Sequence, residues 1–270
     1  MNIKGKNKIR NNSSGVLPDF LIIGTQKGGS TSLYNYLIKH PDILPPSKKE
    51  LHFFNKTEHY RKGIDWYKKQ FPLSKSLNKM TGEATPNYLF NTLTPKRVAH
   101  HLPQTTKFIV LLRNPVDRAY SNYQMKVKKG HDHRSFEEAI IQDESRLKSE
   151  FQQVIRKYQN KKPNHLIYPY ITRGIYVEQL KTWMDLFPKH QFLIVKSEEL
   201  FNEPQKVVNQ VARFLGLSEN KLSMKMFKKF NKGKYSKKMD QKTRNILLDY
   251  YRPYNRCLEE YLDMTFNWDH

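Results

Sequence analysis

The stretch Phe20-Leu21-Ile22-Ile23, ending on Gly24 and running into Thr25-Gln26-Lys27-Gly28-Gly29-Ser30-Thr31-Ser32, constrains the fold more than any other part of the chain. Four consecutive apolar residues, two of them β-branched, suit a strand buried on both faces, as strands of parallel sheets are. The residues after it carry Leu33, Tyr36 and Leu37 at helical spacing, so a helix is expected from Ser30 to His40, where His40-Pro41 ends it. Between strand and helix lies a turn of small residues. Such a turn lets backbone N–H groups converge at a helix N-terminus, where an anion is favoured.

The same alternation recurs along the chain. Strands are expected in Met80–Ala84, Lys107–Leu112 and Gln191–Val195. Helices are expected at Gly63–Phe71, Thr94–Leu102 (Thr94 as cap, Pro95 first), Ser135–Asn160, Pro204–Leu215 and Asp240–Leu262, and another begins at Pro115 behind an Asn114 cap. Tyr176, Leu180, Trp183, Met184 and Phe187 form one more helical face, of the kind that packs a core. Strands separated by helices imply βαβ crossovers. The expected fold class is α/β: a P-loop-like three-layer α/β/α domain around a central, mostly parallel sheet of four or five strands. No composition shift divides the chain, so residues 17–270 are read as a single domain behind a disordered basic tail, 1–16.

Composition narrows the functional classes. The 270 residues carry 48 Lys and Arg against 25 Asp and Glu, a net charge of +23, which points to anionic partners. With 37% hydrophobic and 13% aromatic residues the chain is not intrinsically disordered. One cysteine, Cys257, excludes an internal disulfide and a cysteine zinc site. The histidines are scattered without ligand spacing, so no metal is expected. No run approaches the ~20 apolar residues of a membrane span, and the polar N-terminus lacks the apolar stretch of a secretory signal. A cytoplasmic location is the expectation from these features.

The first turn departs from the nucleoside-triphosphate pattern G-x-x-x-x-G-K-[ST]: Gly24, Gly29 and Thr31 fit, but Ser30 stands where the lysine belongs and Lys27 lies three residues earlier. Its bland alternative is a glycine-rich turn with no ligand. With the lysine displaced in this way, Asp19 to Leu33 resembles the 5′-phosphosulfate loop of sulfotransferases that use 3′-phosphoadenosine 5′-phosphosulfate (PAPS). The resemblance implies that Lys27 contacts the bridging oxygen of the leaving phosphate and that Gly28, Gly29, Ser30, Thr31 and Ser32 hold the phosphate.

Two further segments agree with it. Arg113 ends the strongest strand, where ligands of open α/β sheets bind, and its forked donor suits a phosphate. Leu111 to Ser121 resembles the same family's 3′-phosphate motif, with Arg113 and Ser121 as its arginine and serine. Lys232-Gly233-Lys234-Tyr235, in a strongly basic stretch, resembles the late loop that closes over that phosphate; the plain alternative is a solvated basic face.

On the acceptor side, Lys48-Lys49-Glu50-Leu51-His52-Phe53-Phe54 resembles the catalytic segment of the heparan sulfate N- and 3-O-sulfotransferases and their bacterial relatives. That implies Glu50 as general base, with His52 as assistant or as the base itself. A carboxylate among aromatic residues can be raised toward working pH, as a base requires. The competing reading is an ordinary surface pair of Glu50 with Lys48 or Lys49. Trp66, in a segment like one of the glucosaminyl N-sulfotransferases, and Glu83 and Tyr88, in Gly82 to Tyr88, are implied to hold the acceptor; the plain alternative for Trp66 is a helix packing residue. Many vertebrate heparan enzymes have lysine where Ala84 stands here. Arg173 is read either as lining the acceptor cleft or as part of a helix start.

The implied activity is transfer of the sulfuryl group from PAPS to a hydroxyl or amine of an acceptor such as a glycan or small molecule, without a metal. Two alternatives remain at this level. A small-molecule kinase lacks the Walker lysine and a strand-end acid, since Leu112 runs into Arg113. A nucleic-acid-binding protein would explain the charge, but no compact reader motif is visible, so affinity for nucleic acid is expected to be incidental.

Overall fold

A computed structural model of the chain describes residues 15–72, 79–140, 169–221, 227 and 238–268. Five strands form one parallel sheet: β1 (Phe20–Gly24), β2 (Ile43–Leu44), β3 (Met80–Ala84), β4 (Lys107–Leu112) and β5 (Phe192–Lys196). Their order is β2-β3-β1-β4-β5, with β1 at the centre. Phe20 is paired with Gly82 on one side and Lys107 on the other. The helices are α1 (Ser30–Leu37), α2 (Thr57–Tyr60), α3 (Ile64–Lys68), α4 (Thr94–His101), α5 (Pro115–Lys128), α6 (Tyr176–Met184), α7 (Ser197–Asn202), α8 (Pro204–Leu215) and α9 (Gln241–Leu262).

Strand alternation divides the core in two. Leu21, Ile23, Phe108, Val110 and Leu112 face a layer that includes Val116, Tyr176, Leu180, Trp183 and Tyr251, from α5, α6 and α9. Phe20, Ile22, Ile109 and Leu111 face Leu33, Tyr36 and Leu37 of α1 and Val207, Val211 and Leu215 of α8. Both faces of β1 and β4 are therefore covered, which is why these strands read as unbroken apolar runs. The expected three-layer α/β/α architecture is the observed one.

Local differences have local causes. β2 has only two residues, too short to leave a periodic signal, and completes the sheet by pairing Ile43 with Met80. Thr94 is the first residue of α4 and not its cap: the Asn91 side chain accepts from the N–H groups of Leu93 and Thr94 and from the Thr94 hydroxyl. Asn114 does cap α5, accepting from Val116 N–H at 3.0 Å. Of the helix expected over Ser135–Asn160, residues 136–140 are helical and 141–160 lie outside the described residues. The tail expected over 1–16 falls largely outside them too. Val16, however, packs against the core, because the chain enters the fold beside α3 and not at Leu17.

This order places the site. The chain leaves β1 toward β2 on one side, and the β3–β4 connection crosses to the other. The crevice beyond the carboxyl ends of β1, β3 and β4 is thus the topological switch point, where open α/β sheets bind ligands. The loops that meet there start at Gly24, Ala84 and Leu112.

Candidate active site

The first loop folds back onto β4. Thr25 N–H donates to the Leu111 carbonyl at 2.8 Å and Gly28 N–H to the Thr25 carbonyl at 2.9 Å. A Cβ on Gly28 would lie 2.8 Å from the Leu111 carbonyl oxygen, so the close approach requires glycine. Gly29, at φ +98°, makes the left-handed entry to α1, and the Ser197 hydroxyl of α7 donates to the Gly28 carbonyl at 2.7 Å. Lys27 itself has positive φ, 75°. Ser30 and Ser32 are buried, and Ser32 pairs with Tyr36. Thr31 is partly exposed at the loop mouth.

Cations gather at this mouth. Arg113 Nη1 donates to the Lys27 carbonyl at 3.2 Å, and the Arg113 carbonyl in turn accepts from the buried Tyr176 hydroxyl at 2.8 Å. Burial, with the charges of Arg113 and Lys129, lowers the Lys27 ammonium below its ordinary pKa. Among the described residues no carboxylate forms an ion pair with Lys27 or Arg113, so the arrangement favours an incoming anion. The turn after Arg113 is fixed from three sides: Asn114 N–H donates to Glu198 of α7 at 2.9 Å, and the Asn114 side chain both caps α5 and donates to the Trp268 carbonyl at 3.3 Å. Ser121 lies buried on α5. Lys232, Gly233, Lys234 and Tyr235 lie outside the described residues.

Glu50 sits beside the loop. Lys49 Nζ donates to Glu50 Oε1 at 2.6 Å and to Thr31 Oγ1 at 3.0 Å, so one ammonium joins the carboxylate to the phosphate loop. His52 Nε2 is 3.3 Å from Glu50 Oε2, and its other ring nitrogen is 3.2 Å from Asn55 Oδ1. Burial pushes the Glu50 carboxyl up, but the hydrogen bonds and charges of His52 and Lys49 outweigh it and hold the pKa down at about 2. This reverses the raised value expected for a carboxylate among aromatic rings. The neighbours that set the sign are His52 and Lys49, and sequence reasoning considered Lys49 only as a surface partner. Its signal was present in the sequence, a lysine adjacent to the candidate base, but its reach to Thr31 exists only in the fold.

The acceptor residues separate into two groups. Glu83 and Tyr88, expected to contact the acceptor, are both 0% exposed, which corrects that expectation: they support the site from behind. Glu83 accepts from Tyr67 and Tyr88 hydroxyls at 2.8 Å each, from the Thr85 hydroxyl at 2.6 Å and from Leu51 N–H at 3.1 Å. Tyr88 also receives the Phe53 N–H at 3.1 Å, so the pair holds the turn that carries Glu50 and His52. Burial raises the Glu83 carboxyl above its ordinary pKa, against these hydrogen bonds. Trp66 and Arg173 are partly exposed. Trp66 stacks on Phe53 and lies under Lys62 Nζ at 4.5 Å. Arg173 donates to the Asn87 side chain at 3.0 Å and covers the Phe90 ring at 4.4 Å. Among the described residues no cluster of three His, Cys, Asp or Glu side chains could hold a metal ion.

A parallel sheet with a glycine-rich loop at its switch point, the cations Lys27 and Arg113 at that loop's mouth and a carboxylate beside it fits a group-transfer enzyme of the P-loop-like α/β class. The particular family follows from comparison: residues 17–257 match the sulfotransferase domain model, and the chain belongs to that family. It is similar to the membrane-associated sulfotransferase kil1 of Dictyostelium discoideum, 28% identical over 93% of this chain and 66% of that protein. It is similar to the bifunctional heparan sulfate N-deacetylase/N-sulfotransferase 1 of Xenopus laevis, 33% identical over 91% of this chain and 30% of that protein. A crystal structure of a sulfotransferase from Alicyclobacillus acidocaldarius shares the fold at a TM-score of 0.76 and 29% identity, covering 94% of this chain and all of that one. The chain thus spans less than a third of the heparan sulfate relative's length.

The comparison overturns the cytoplasmic location. A relative similar over nearly the whole chain is membrane-associated. Charge and cysteine count describe the domain and not what carries it, so they do not fix a compartment. Among the described residues no helix is long and apolar enough to cross a membrane.

Proposed function

We propose that residues 17–270 form one catalytic domain that moves the sulfuryl group of PAPS to a hydroxyl or amine of a carbohydrate. The observation that carries this reading is the linkage of the phosphate loop to Glu50 through Lys49, with Lys27 and Arg113 at the loop mouth. Lys27 and the amides and hydroxyls of Gly28, Gly29, Ser30, Thr31 and Ser32 bind the 5′-phosphosulfate. Arg113 and Ser121 take the 3′-phosphate. The acceptor O–H or N–H gives its proton to Glu50, assisted by His52. The acceptor atom bonds to sulfur as the bond from sulfur to the bridging oxygen breaks, and Lys27 stabilises the electron pair left on that oxygen. Adenosine 3′,5′-bisphosphate leaves. The choice of a carbohydrate rests on the heparan sulfate relative, and Trp66 and Arg173 line its path.

Thermal unfolding with adenosine 3′,5′-bisphosphate, 5′-AMP and Mg-ATP tests the donor. A ligand at about 100 times its Kd stabilises by about 2.7 kcal/mol, a visible rise in Tm. The expected result is a rise that needs the 3′-phosphate and persists with EDTA. A rise with Mg-ATP alone would replace the donor reading with phosphoryl transfer. Incubation with radiolabelled PAPS and N-desulfated heparan then tests the acceptor.

A further inference from the structure

Lys49 stands at a junction that the transfer scheme above does not use. Its Nζ bonds at once to the candidate base and to the first turn of α1, the end of a helix where an anionic ligand is favoured. Its side chain is only 20% exposed, so the charge is held inside the crevice. Two anions therefore compete for one ammonium: the Glu50 carboxylate, and whatever occupies the Gly24–Ser30 loop. The charges acting on Glu50 come from Lys49 and His52 of its own segment. Glu83 of β3, behind the turn, is engaged instead with Tyr67 and Tyr88, and from α1 it is Tyr34 that feels its charge. On the loop side, the charges of Arg113 and Lys129 act on Lys27.

We propose that Lys49 is a shuttle cation: it pairs with Glu50 while the loop is empty and swings to the phosphosulfate when the donor binds, so that donor binding releases Glu50 to accept the acceptor's proton. The proposal rests on the sulfuryl-transfer reading and adds an order to it. A lysine is suited to this, being a compact charge on a flexible stem with three donors. The move is short because Thr31, which already accepts from Nζ, sits at the loop mouth. In the paired state Glu50 is ionised but a poor base. Losing the lysine's hydrogen bond and charge raises its proton affinity at the moment an in-line acceptor can use it. Without donor the base stays quenched. The same ammonium then lies against the transferring group as negative charge builds on the departing oxygen.

The test follows the Glu50 carboxyl by NMR in the full chain labelled with ¹³C at glutamate side chains, with Glu50→Gln assigning the signal. Adenosine 3′,5′-bisphosphate is the probe, and titrations run from about pH 4 to about pH 6, the ordinary carboxylate range. Without ligand the wild-type carboxyl stays ionised throughout; with ligand it titrates within the range. In Lys49→Met the ligand-free carboxyl, still bonded to His52, titrates higher than in ligand-free wild type, and the probe adds little to it. Lys49→Met lowers kcat about 100-fold, and Lys49→Arg recovers part of the loss. A probe-induced rise equally large in Lys49→Met would mean that the bound anion acts on Glu50 directly, and would overturn the shuttle. So would a wild-type carboxyl unmoved by probe that shifts the Gly28 and Gly29 amides. If those amides do not move, the donor reading fails first and the shuttle with it.

Discussion

Glu50 sits between opposing influences. Burial favours its neutral form, while Lys49 and His52 favour the carboxylate and prevail. Replacing it with glutamine should abolish turnover and, by leaving Lys49 to the ligand alone, tighten bisphosphate binding, as measured by calorimetry. The sign of its contribution to stability follows from the lowered value. The folded state gains from ionised Glu50 above its ordinary pKa of 4.5 and loses that gain as pH falls toward about 2. With the side chain 37% exposed, screening keeps the gain small. Wild type and Glu50→Gln should therefore differ most in urea unfolding near neutrality and converge near pH 2. Lys27→Ala should lower kcat by about 10² to 10³, with circular dichroism unchanged, because it removes one cation from the leaving oxygen and nothing from the core. Glu83 is different in kind. Glu83→Ala strands four donors in a buried site and should cost about 3 kcal/mol or more by equilibrium unfolding. A variant that lost activity with full stability would return Glu83 to the acceptor.

At the scale of elements, the loop from β1 to α1 does its work through backbone, so its most sensitive position is a glycine. Gly28→Ala should abolish bisphosphate binding by calorimetry while changing Tm little, since the added methyl meets the Leu111 carbonyl at 2.8 Å and displaces the loop but not the sheet. The Arg113 turn is held instead by groups from three distant parts: the Tyr176 side chain on α6, the Glu198 side chain on α7 and the Trp268 backbone beyond α9. Neither Glu198 nor Trp268 was legible as a site contributor in the sequence, because each is named only by where the chain returns. By contrast β1, β4 and their following turns were legible, being apolar runs ended by residues with one dominant conformational use. β2 was not, as two residues carry no period.

Over the whole molecule, the net charge of +23 acts on folding and on binding with opposite consequences. Raising ionic strength from about 0.1 M to about 1 M shortens screening from about 10 Å to about 3 Å. Relief of self-repulsion should raise the Tm of the ligand-free protein, while the affinity for adenosine 3′,5′-bisphosphate falls. A parallel change of both would mean that binding is not led by charge. The sequence by itself determined the α/β class, the glycine-rich turn between β1 and α1 and the place of Arg113 at the end of β4. These follow from local patterns: buried-strand runs, a glycine-rich turn and the residue at a strand's end. Only the tertiary structure decided that Glu83 and Tyr88 lie behind the site, that Glu50 is held low, and that Lys49 joins it to Thr31. Burial and charge proximity are set by residues far apart in the chain, and a pKa or an exposure belongs to that assembled neighbourhood and to no segment alone.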